Sequence, residues 1–237
     1  MKNKITQSLS IFFPAYNEEE NVTESALQAL KVASEITDDY EVIIVDDGST
    51  DKTAKIIDEL AKKYSYFRAI HHKINQGYGG AVWTGVTNCT KDLIFFTDVD
   101  LQFKIDELKK FIPYIKEYDA VIGYRAPRRD PFMRLVNAWG WKVMINFLFN
   151  LGVRDIDCAF KLFKKDIFQK VSVESRGAMI SAEMLIRIKK GGFKVKELPV
   201  GHYPRKAGSP TGAKPAVIAK AFKELLKVHK ELKKESK

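Results

Sequence analysis

An α/β fold, with a mostly parallel sheet covered by helices on both faces, is predicted by three observations in this sequence. Apolar runs occur without alternation: IFF at 11–13, VIIV at 42–45 and LIFF at 93–96. Strands buried on both faces read this way, whereas half-exposed strands alternate. Amphipathic stretches separate the runs, as crossover helices between parallel strands do. The runs end in polar groups, at Pro14-Ala15-Tyr16-Asn17-Glu18, Asp46-Asp47-Gly48-Ser49 and Asp98-Val99-Asp100. Open α/β sheets bind ligands beyond their C-terminal strand ends, so these groups should converge on one crevice.

The elements follow in order. SLSIFFP (8–14) is a strand. NEEENVTESALQALKVASEI (17–36) is a helix, with Asn17 as N-cap and acids in the first turn, where the helix dipole favours them. EVIIVDD (41–47) is a strand, TDKTAKIIDELAKKY (50–64) an amphipathic helix and FRAIHH (67–72) a short strand. NQGYGG (75–80) is a glycine loop that leads into a helix over 80–90. DLIFFTD (92–98) is the fourth strand, IDELKKFIPYI (105–115) the next helix and DAVIGYR (119–125) the fifth strand.

The second half reads differently. YRAPRRDPFMR (124–134) is a basic, proline-bearing loop. NAWGWKVMINFLFNLGV (137–153) has almost no polar face, which suits a core helix or one lying in a membrane interface. RDIDCAFKLFKKDIF (154–168) mixes acids, bases and aromatics. SAEMLIRIKKGG (181–192) is a helix closed by glycines, and FKVKELPV (193–200) alternates as a strand does. PAVIAKAFKELLKVHKELKK (215–234) is a helix with Pro215 near its start. One face of it carries Ile218, Ala221, Phe222, Leu225, Val228 and Leu232; the opposite stripe is lysine. Such a helix suits an anionic membrane surface, and it equally suits packing on the core with its lysines in water.

Composition narrows the class. The 237 residues fit one large domain, and 45% hydrophobic content is enough for a sizeable core. Cys89 and Cys158 lie far apart without CxxC spacing, so a disulfide framework or zinc site is not expected and a reducing cytoplasm fits. No export signal is expected at the N-terminus, where the apolar run is short and turns acidic, and no spanning helix elsewhere. From residue 189 onward, fourteen Lys and Arg face four Glu, so the whole net charge of +10 belongs to the C-terminal quarter. That tail calls for an anionic partner such as phospholipid, nucleic acid or a phosphorylated ligand, or else is a solvated helix face.

Asp98 and Asp100, one residue apart at the end of an apolar strand, suit a hard divalent cation: oxygen ligands favour Mg²⁺ or Mn²⁺ over zinc. Such an ion is usually shared with a diphosphate. A solvated turn is the plainer alternative. VDDGSTDKT makes a tight turn into a helix, with Asp51 near the N-cap, yet a turn does not require two successive acids. A carboxylate there can accept from a base N–H or a ribose hydroxyl. NQGYGGA is not GxGxxG, and no Walker motif occurs, so dinucleotide and P-loop readings fall.

FPAYNEEENV, VIIVDDGSTDKT, NQGYGGAVWTG and FTDVDLQF, in this order and at these intervals, resemble the family 2 glycosyltransferases, which have the nucleotide-sugar-binding GT-A fold. RDIDCAFKLFKK and YPRKAGSPTG narrow the resemblance to the dolichyl-phosphate mannose or glucose synthase branch, which moves sugar onto a polyprenyl phosphate. The likeness covers about residues 8–225. It implies a catalytic domain over 1–212, with 213–237 as a basic amphipathic helix. Pro14, Ala15, Tyr16, Glu18 and Asp47 would hold the nucleotide, with Asp46 and Ser49 in support and Gly77 bringing backbone close. Asp98, Asp100 and Gln102 would bind Mg²⁺ or Mn²⁺ bridging the donor diphosphate. Arg125, Arg134, Arg205 and Lys206 would meet the phosphates of donor and acceptor, and Ser209 lies in a loop that would close over the donor.

The resemblance implies inverting transfer from a UDP- or GDP-hexose to a polyprenyl phosphate, by an enzyme peripheral to the cytoplasmic membrane face. A phosphate monoester is largely dianionic at pH 7 and needs no base. A hydroxyl acceptor would need one, and Glu183 is the candidate; its plainer reading is a helix carboxylate paired with Arg187. A basic nucleic-acid-binding protein is the alternative from another class, although strand-end acids repel phosphates without a metal. A degenerate, non-catalytic GT-A domain is disfavoured by intact Asp98, Asp100 and Gln102.

Overall fold

The computed structural model describes residues 4–127, 132–205 and 215–235; for 132–138, 215–220 and 235 it describes the backbone path alone. Among these residues a single seven-stranded sheet runs in the order β3-β2-β1-β4-β6-β5-β7. Its first part is β1 (Leu9–Ala15), β2 (Tyr40–Asp46), β3 (Phe67–His71) and β4 (Leu93–Thr97), all parallel. Every residue of β1 and β4 is buried, which is why these strands carry no polar alternation. The crossover helices are α1 (Val22–Ile36), α2 (Thr53–Lys63) and α3 (Tyr78–Asn88). Strand order runs outward from β1 to β3 and then returns to place β4 on the other side of β1. That reversal opens a crevice at the C-terminal ends of β1 and β4.

The remaining part is mixed. Strand β5 (Ala120–Arg125) and β7 (Val195–Val200) are parallel to each other, and β6 (Phe160–Lys164) runs antiparallel between β4 and β5. Aromatic side chains fill the space around β4 and β6: Phe95 and Phe160 meet edge to face at 4.6 Å, and Phe111 meets Phe160 at 5.0 Å. The single helix expected over 105–115 is instead two 3₁₀ helices, Ile105–Lys110 and Ile112–Lys116. Pro113 explains the break: it lacks an N–H, and its ring clashes with the carbonyl four residues earlier. The first helix also starts later than expected. Asn17 sits at φ 55 in a turn, and α1 begins at Val22 behind Asn21.

Helix α4 (Phe132–Phe149) takes up the end of the stretch read as loop, α5 (Ile167–Lys170) is one turn, and α6 (Ile180–Lys190) is almost wholly buried. The C-terminal α7 (Pro215–Glu235) packs on the domain. Its Ala221, Leu225, Val228 and Leu232 are buried, Glu224 accepts from the Gly177 N–H at 3.1 Å, and Glu231 faces Arg187 at 3.5 Å. Packing is thus what the buried face of this helix does. Among the described residues no helix is long and apolar enough to cross a membrane. Both cysteines are buried free thiols.

Candidate active site

The ends of β1 and β2 are laced into one rim. The Asn17 N–H donates to Ser49 Oγ at 2.9 Å, Asn17 Oδ1 accepts from the Thr50 N–H at 2.8 Å, and the Glu18 N–H donates to Thr53 Oγ1 at 2.9 Å. Asp46 Oδ1 accepts from the Ser49 N–H at 3.0 Å, which closes the DDGS turn. Pro14 and Ala15 are buried backbone of β1, and the Ala15 carbonyl accepts from the Asp47 N–H at 2.8 Å. Tyr16 projects from this rim and is exposed. Its neighbours Asn17 and Glu18, with Asp51, line a notch, and an exposed aromatic face is suited to stacking a planar ring.

Asp47 is buried and fully engaged. Its Oδ1 accepts from the Gln76 N–H at 2.8 Å and faces His72 Nδ1 at 2.6 Å, and its Oδ2 accepts from the Gly77 N–H at 2.9 Å. Its work in this structure is to fold the glycine loop onto β2. His72 passes the contact on to Thr84 at 2.9 Å. Neighbouring His71 lies between Asp46 and Asp58; burial opposes its charged form, but the two carboxylates outweigh that and hold it above the usual histidine range. The glycines serve chain packing. Gly77 has φ 87, and a Cβ there would meet the Arg176 carbonyl oxygen at 2.9 Å; a Cβ on Gly79 would meet the Arg176 carbonyl carbon at 2.6 Å.

Beyond β4, Asp98 and Asp100 enter the crevice. Tyr78, the first residue of α3, donates its hydroxyl to Asp98 at 3.0 Å. Burial, and then the charge of Asp100, push the Asp98 carboxyl up to about 7. Asp100 Oδ1 accepts from the Gln102 N–H at 3.2 Å around Leu101, which sits at φ 59. A leucine in the left-handed region costs about 1–2 kcal/mol, so the turn is held by its surroundings. Gln102 donates from its amide to the Tyr203 carbonyl at 3.1 Å and lies 3.3 Å from His202 Nε2.

Arg205 spans the crevice. It is paired with Glu18 and lies 3.7 Å from Asp100, and its buried Nε has no hydrogen-bond partner among the described residues. A buried donor without an acceptor is uncommon, and an anion would satisfy it. Burial raises the Glu18 carboxyl against the opposing pull of Asn21 and Arg205.

Burial first, and the Asp100 charge second, hold the Asp98 carboxyl up near neutrality, and a hard divalent cation would relieve both carboxylates. No three His, Cys, Asp or Glu side chains among the described residues come together as a metal cage. The acid pair is therefore an open arrangement that needs further oxygens from elsewhere.

Two candidates are engaged within the protein: Arg125 by a partner the sequence does not suggest, and Glu183 by the Arg187 of its plainer reading. Arg125 forks onto Asp155, with Nε at 2.7 Å and Nη2 at 2.8 Å from its oxygens, and is buried there instead of facing an open phosphate site. Glu183 is fully buried, accepts from the Glu174 and Ser175 N–H groups at 3.1 and 2.8 Å, and pairs with Arg187 at 2.7 Å. Acting as a base would require it to leave all three. Arg134 lies on α4 with its side chain outside the described residues, and Lys206 and Ser209 lie outside them altogether.

Sequence reading missed three residues. Tyr78 follows a glycine and has no distinguishing pattern. His202 stands two places past a strand, a placement that could have drawn notice. Lys161 is wholly buried on β6, donates to the Cys158 carbonyl and lies 5.4 Å from the Phe96 ring; burial lowers its pKa. A single lysine inside FKLF was the signal.

This sheet order, with acids at the ends of β2 and β4 facing one crevice, is the GT-A architecture. The Glycosyl transferase family 2 model matches residues 10–172, and the chain belongs to that family. It is 29% identical over 207 residues to Glycosyltransferase AglD of Haloferax volcanii, covering 83% of this chain and 33% of that protein. It is 30% identical over 209 residues to Dolichyl-phosphate beta-glucosyltransferase ALG5A of Trichomonas vaginalis, covering 81% of this chain and 64% of that one. To Undecaprenyl-phosphate 4-deoxy-4-formamido-L-arabinose transferase of Photorhabdus laumondii it is 30% identical, over 69% of this chain and 51% of the relative. The chain thus spans between a third and about two thirds of these relatives' lengths. Glucosyl-3-phosphoglycerate synthase from Mycobacterium tuberculosis, in complex with Mg²⁺ and UDP, superposes with a TM-score of 0.71 at 18% identity, over 94% of this chain and 79% of that one.

Proposed function

We propose that this chain is a metal-dependent, inverting glycosyltransferase that moves a hexose from a UDP- or GDP-linked donor to a polyprenyl phosphate. The observation that carries the proposal is the crevice itself: a crowded acid pair, Asp98 and Asp100, faced by Arg205 with a buried donor to spare. Asp98, Asp100 and the amide of Gln102 would hold Mg²⁺ or Mn²⁺, which when bound supplies Lewis-acid stabilisation of the leaving diphosphate. Arg205 would exchange Glu18 for a phosphate oxygen and neutralise charge as it develops. Tyr16, Glu18 and the turn from Asp46 to Ser49 would receive the nucleoside. Tyr78 holds the Asp98 carboxylate from α3 and fixes its direction.

In the transfer, an acceptor oxygen bonds to the anomeric carbon as the bond to the diphosphate breaks on the opposite side, so configuration inverts. A phosphate acceptor arrives already ionised. The engagement of Glu183 supports that acceptor over a hydroxyl that would need Glu183 as its base. The names of two relatives that act on dolichyl and undecaprenyl phosphates support it too. A structural neighbour in complex with Mn²⁺ and UDP-glucose supports a nucleotide-sugar donor and a divalent ion.

The test is sugar transfer from a panel of UDP- and GDP-sugars, with and without Mn²⁺ or Mg²⁺, and with and without a polyprenyl phosphate in detergent. Metal-dependent labelling of the lipid, absent in Asp100→Ala, is the expected result. Donor hydrolysis without lipid labelling would leave the donor site and overturn the acceptor.

A further inference from the structure

The chain leaving β7 is clamped onto the chain leaving β4. The Gly201 N–H donates to Glu107 Oε1 at 3.0 Å, and the Tyr203 N–H donates to the Gln102 carbonyl at 2.9 Å. The Lys104 ammonium lies 4.7 Å from the centre of the Tyr203 ring. His202 is buried between these contacts, its ring 5.7 Å from that of Phe103. The same segment runs on to Arg205, which reaches Glu18 and Asp100.

This clamp fixes which way round the Gln102 side-chain amide lies. One atom of that amide faces both the Tyr203 carbonyl, at 3.1 Å, and His202 Nε2, at 3.3 Å. A carbonyl oxygen only accepts, so the atom facing it is the NH₂ group, which has two hydrogens to give. One goes to Tyr203. The other is used at His202 if Nε2 accepts, which puts the ring proton on Nδ1. A proton on Nε2 would instead set donor against donor inside a buried contact.

The second acceptor matters because the last torsion of a glutamine is broad and roughly two-fold. Tyr203 alone would hold one hydrogen and leave the amide free to rock about that bond. With both hydrogens held, Oε1 is the end turned away from the 202–203 segment. An amide turned over would offer NH₂, which cannot ligate a cation.

We infer that His202 is a positioning residue for the metal site: by accepting from Gln102, its Nε2 holds the amide with Oε1 presented to the divalent cation. The inference rests on the proposed metal-dependent reading, and His202 acts in it through Gln102 alone. Hydrogen-bond partners of metal ligands commonly govern affinity by tenfold or more.

The experiment follows Mn²⁺ binding to the full chain by electron paramagnetic resonance, with no sugar present. Wild type is compared with His202→Phe, Gln102→Ala and the double variant carrying both. Phenylalanine keeps a ring against Phe103 and removes the acceptor. About tenfold weaker binding is expected in His202→Phe, and no further change when His202→Phe is added to Gln102→Ala. A role in packing alone would weaken binding equally in both backgrounds, and that result overturns the inference. A loss under about twofold in His202→Phe overturns it too.

A second readout needs no variant and no metal. Long-range proton–nitrogen spectra of the wild-type chain labelled with ¹⁵N-histidine, at about pH 7.5, should show His202 protonated on Nδ1 and bare at Nε2. A proton on Nε2, alone or together with one on Nδ1, overturns the inference. If wild type binds Mn²⁺, Asp100→Ala does not, and His202→Phe matches wild type, the inference falls and the metal reading stands. If wild type binds no Mn²⁺ with or without UDP, the metal reading falls and takes the inference with it.

Discussion

The strand ends on the β1–β2 side are joined by contacts between neighbouring turns, whereas those on the β4–β7 side are joined across most of the chain. Asn17 and Ser49, or Asp47 and Gly77, meet over about thirty positions. Gln102 meets Tyr203 across 101, and Arg205 meets Glu18 across 187. The first side is a rim in which backbone N–H groups donate to Asp46, Asp47 and Asp51. The second is a meeting place in which a buried guanidinium nitrogen and a crowded acid pair are left to be completed. Recognition of a nucleoside belongs to the first kind of construction, and handling of moving charge to the second.

The sharpest way to break this contrast is to neutralise the acid pair. Asp100→Asn should cut metal-dependent transfer about a thousandfold, the worth of several kcal/mol of charge stabilisation. The fold should be unchanged, because asparagine keeps the shape of Asp100 and can still accept from the Gln102 N–H. Steady-state rates beside a thermal melt check it. A small loss of activity would place the charge handling elsewhere.

Next in size is Glu183, which belongs by its contacts to the structural kind. Glu183→Ala removes the acceptor of two N–H groups and the closer carboxylate of Arg187, and should cost about 3 kcal/mol of stability. Glu183→Gln keeps the shape, and its folded fraction should transfer sugar to a lipid phosphate at close to the normal kcat. A kcat collapse in folded Glu183→Gln would restore the base role and with it a hydroxyl acceptor.

Gly79→Ala comes third. The added Cβ would lie 2.6 Å from backbone atoms of Arg176 and Gly177, which cannot move aside as a side-chain tip can. About 2 kcal/mol of destabilisation follows, or a Tm drop of about 4–8 °C for a chain of this size. A neutral substitution would mean that the glycine loop serves a ligand and not the 173–177 segment.

How far the sequence could be read follows the same division. Strands β1, β2 and β4 declare themselves by unbroken apolar runs, and the acids at the ends of β2 and β4 are visible because acids do not otherwise follow buried strands. β6 was hidden, since Lys161 and Lys164 interrupt its apolar pattern and only burial shows that Lys161 lies against Phe96. The 105–115 helix was overread, with Pro113 given too little weight. Arg125 looks like a phosphate ligand in a basic loop, and nothing local reveals that Asp155 will claim it thirty residues later. The terminal helix left two answers open because an amphipathic pattern names a buried face but not what buries it.

The smallest effect is a pH slope, and it tests how strongly burial and Asp100 hold a proton on Asp98. Burial and Asp100 raise the Asp98 carboxyl from 3.8 to about 7. A cation must displace that proton, so Mn²⁺ affinity should rise with pH up to about 7 and then level off, changing by at most about tenfold per pH unit. Metal-free stability should move the other way. The folded chain keeps a proton that the unfolded chain has released, so this group's contribution to stability is present below about pH 4 and is lost as pH rises toward 7. Mn²⁺ titration by electron paramagnetic resonance, and metal-free melts, at about pH 5.5 and 7.5 would read both slopes. Asp98→Asn should flatten the metal-free slope. If the wild type is flat as well, the two carboxylates are ionised together, and Lys161 or Arg205 already supplies the countercharge assigned here to a cation.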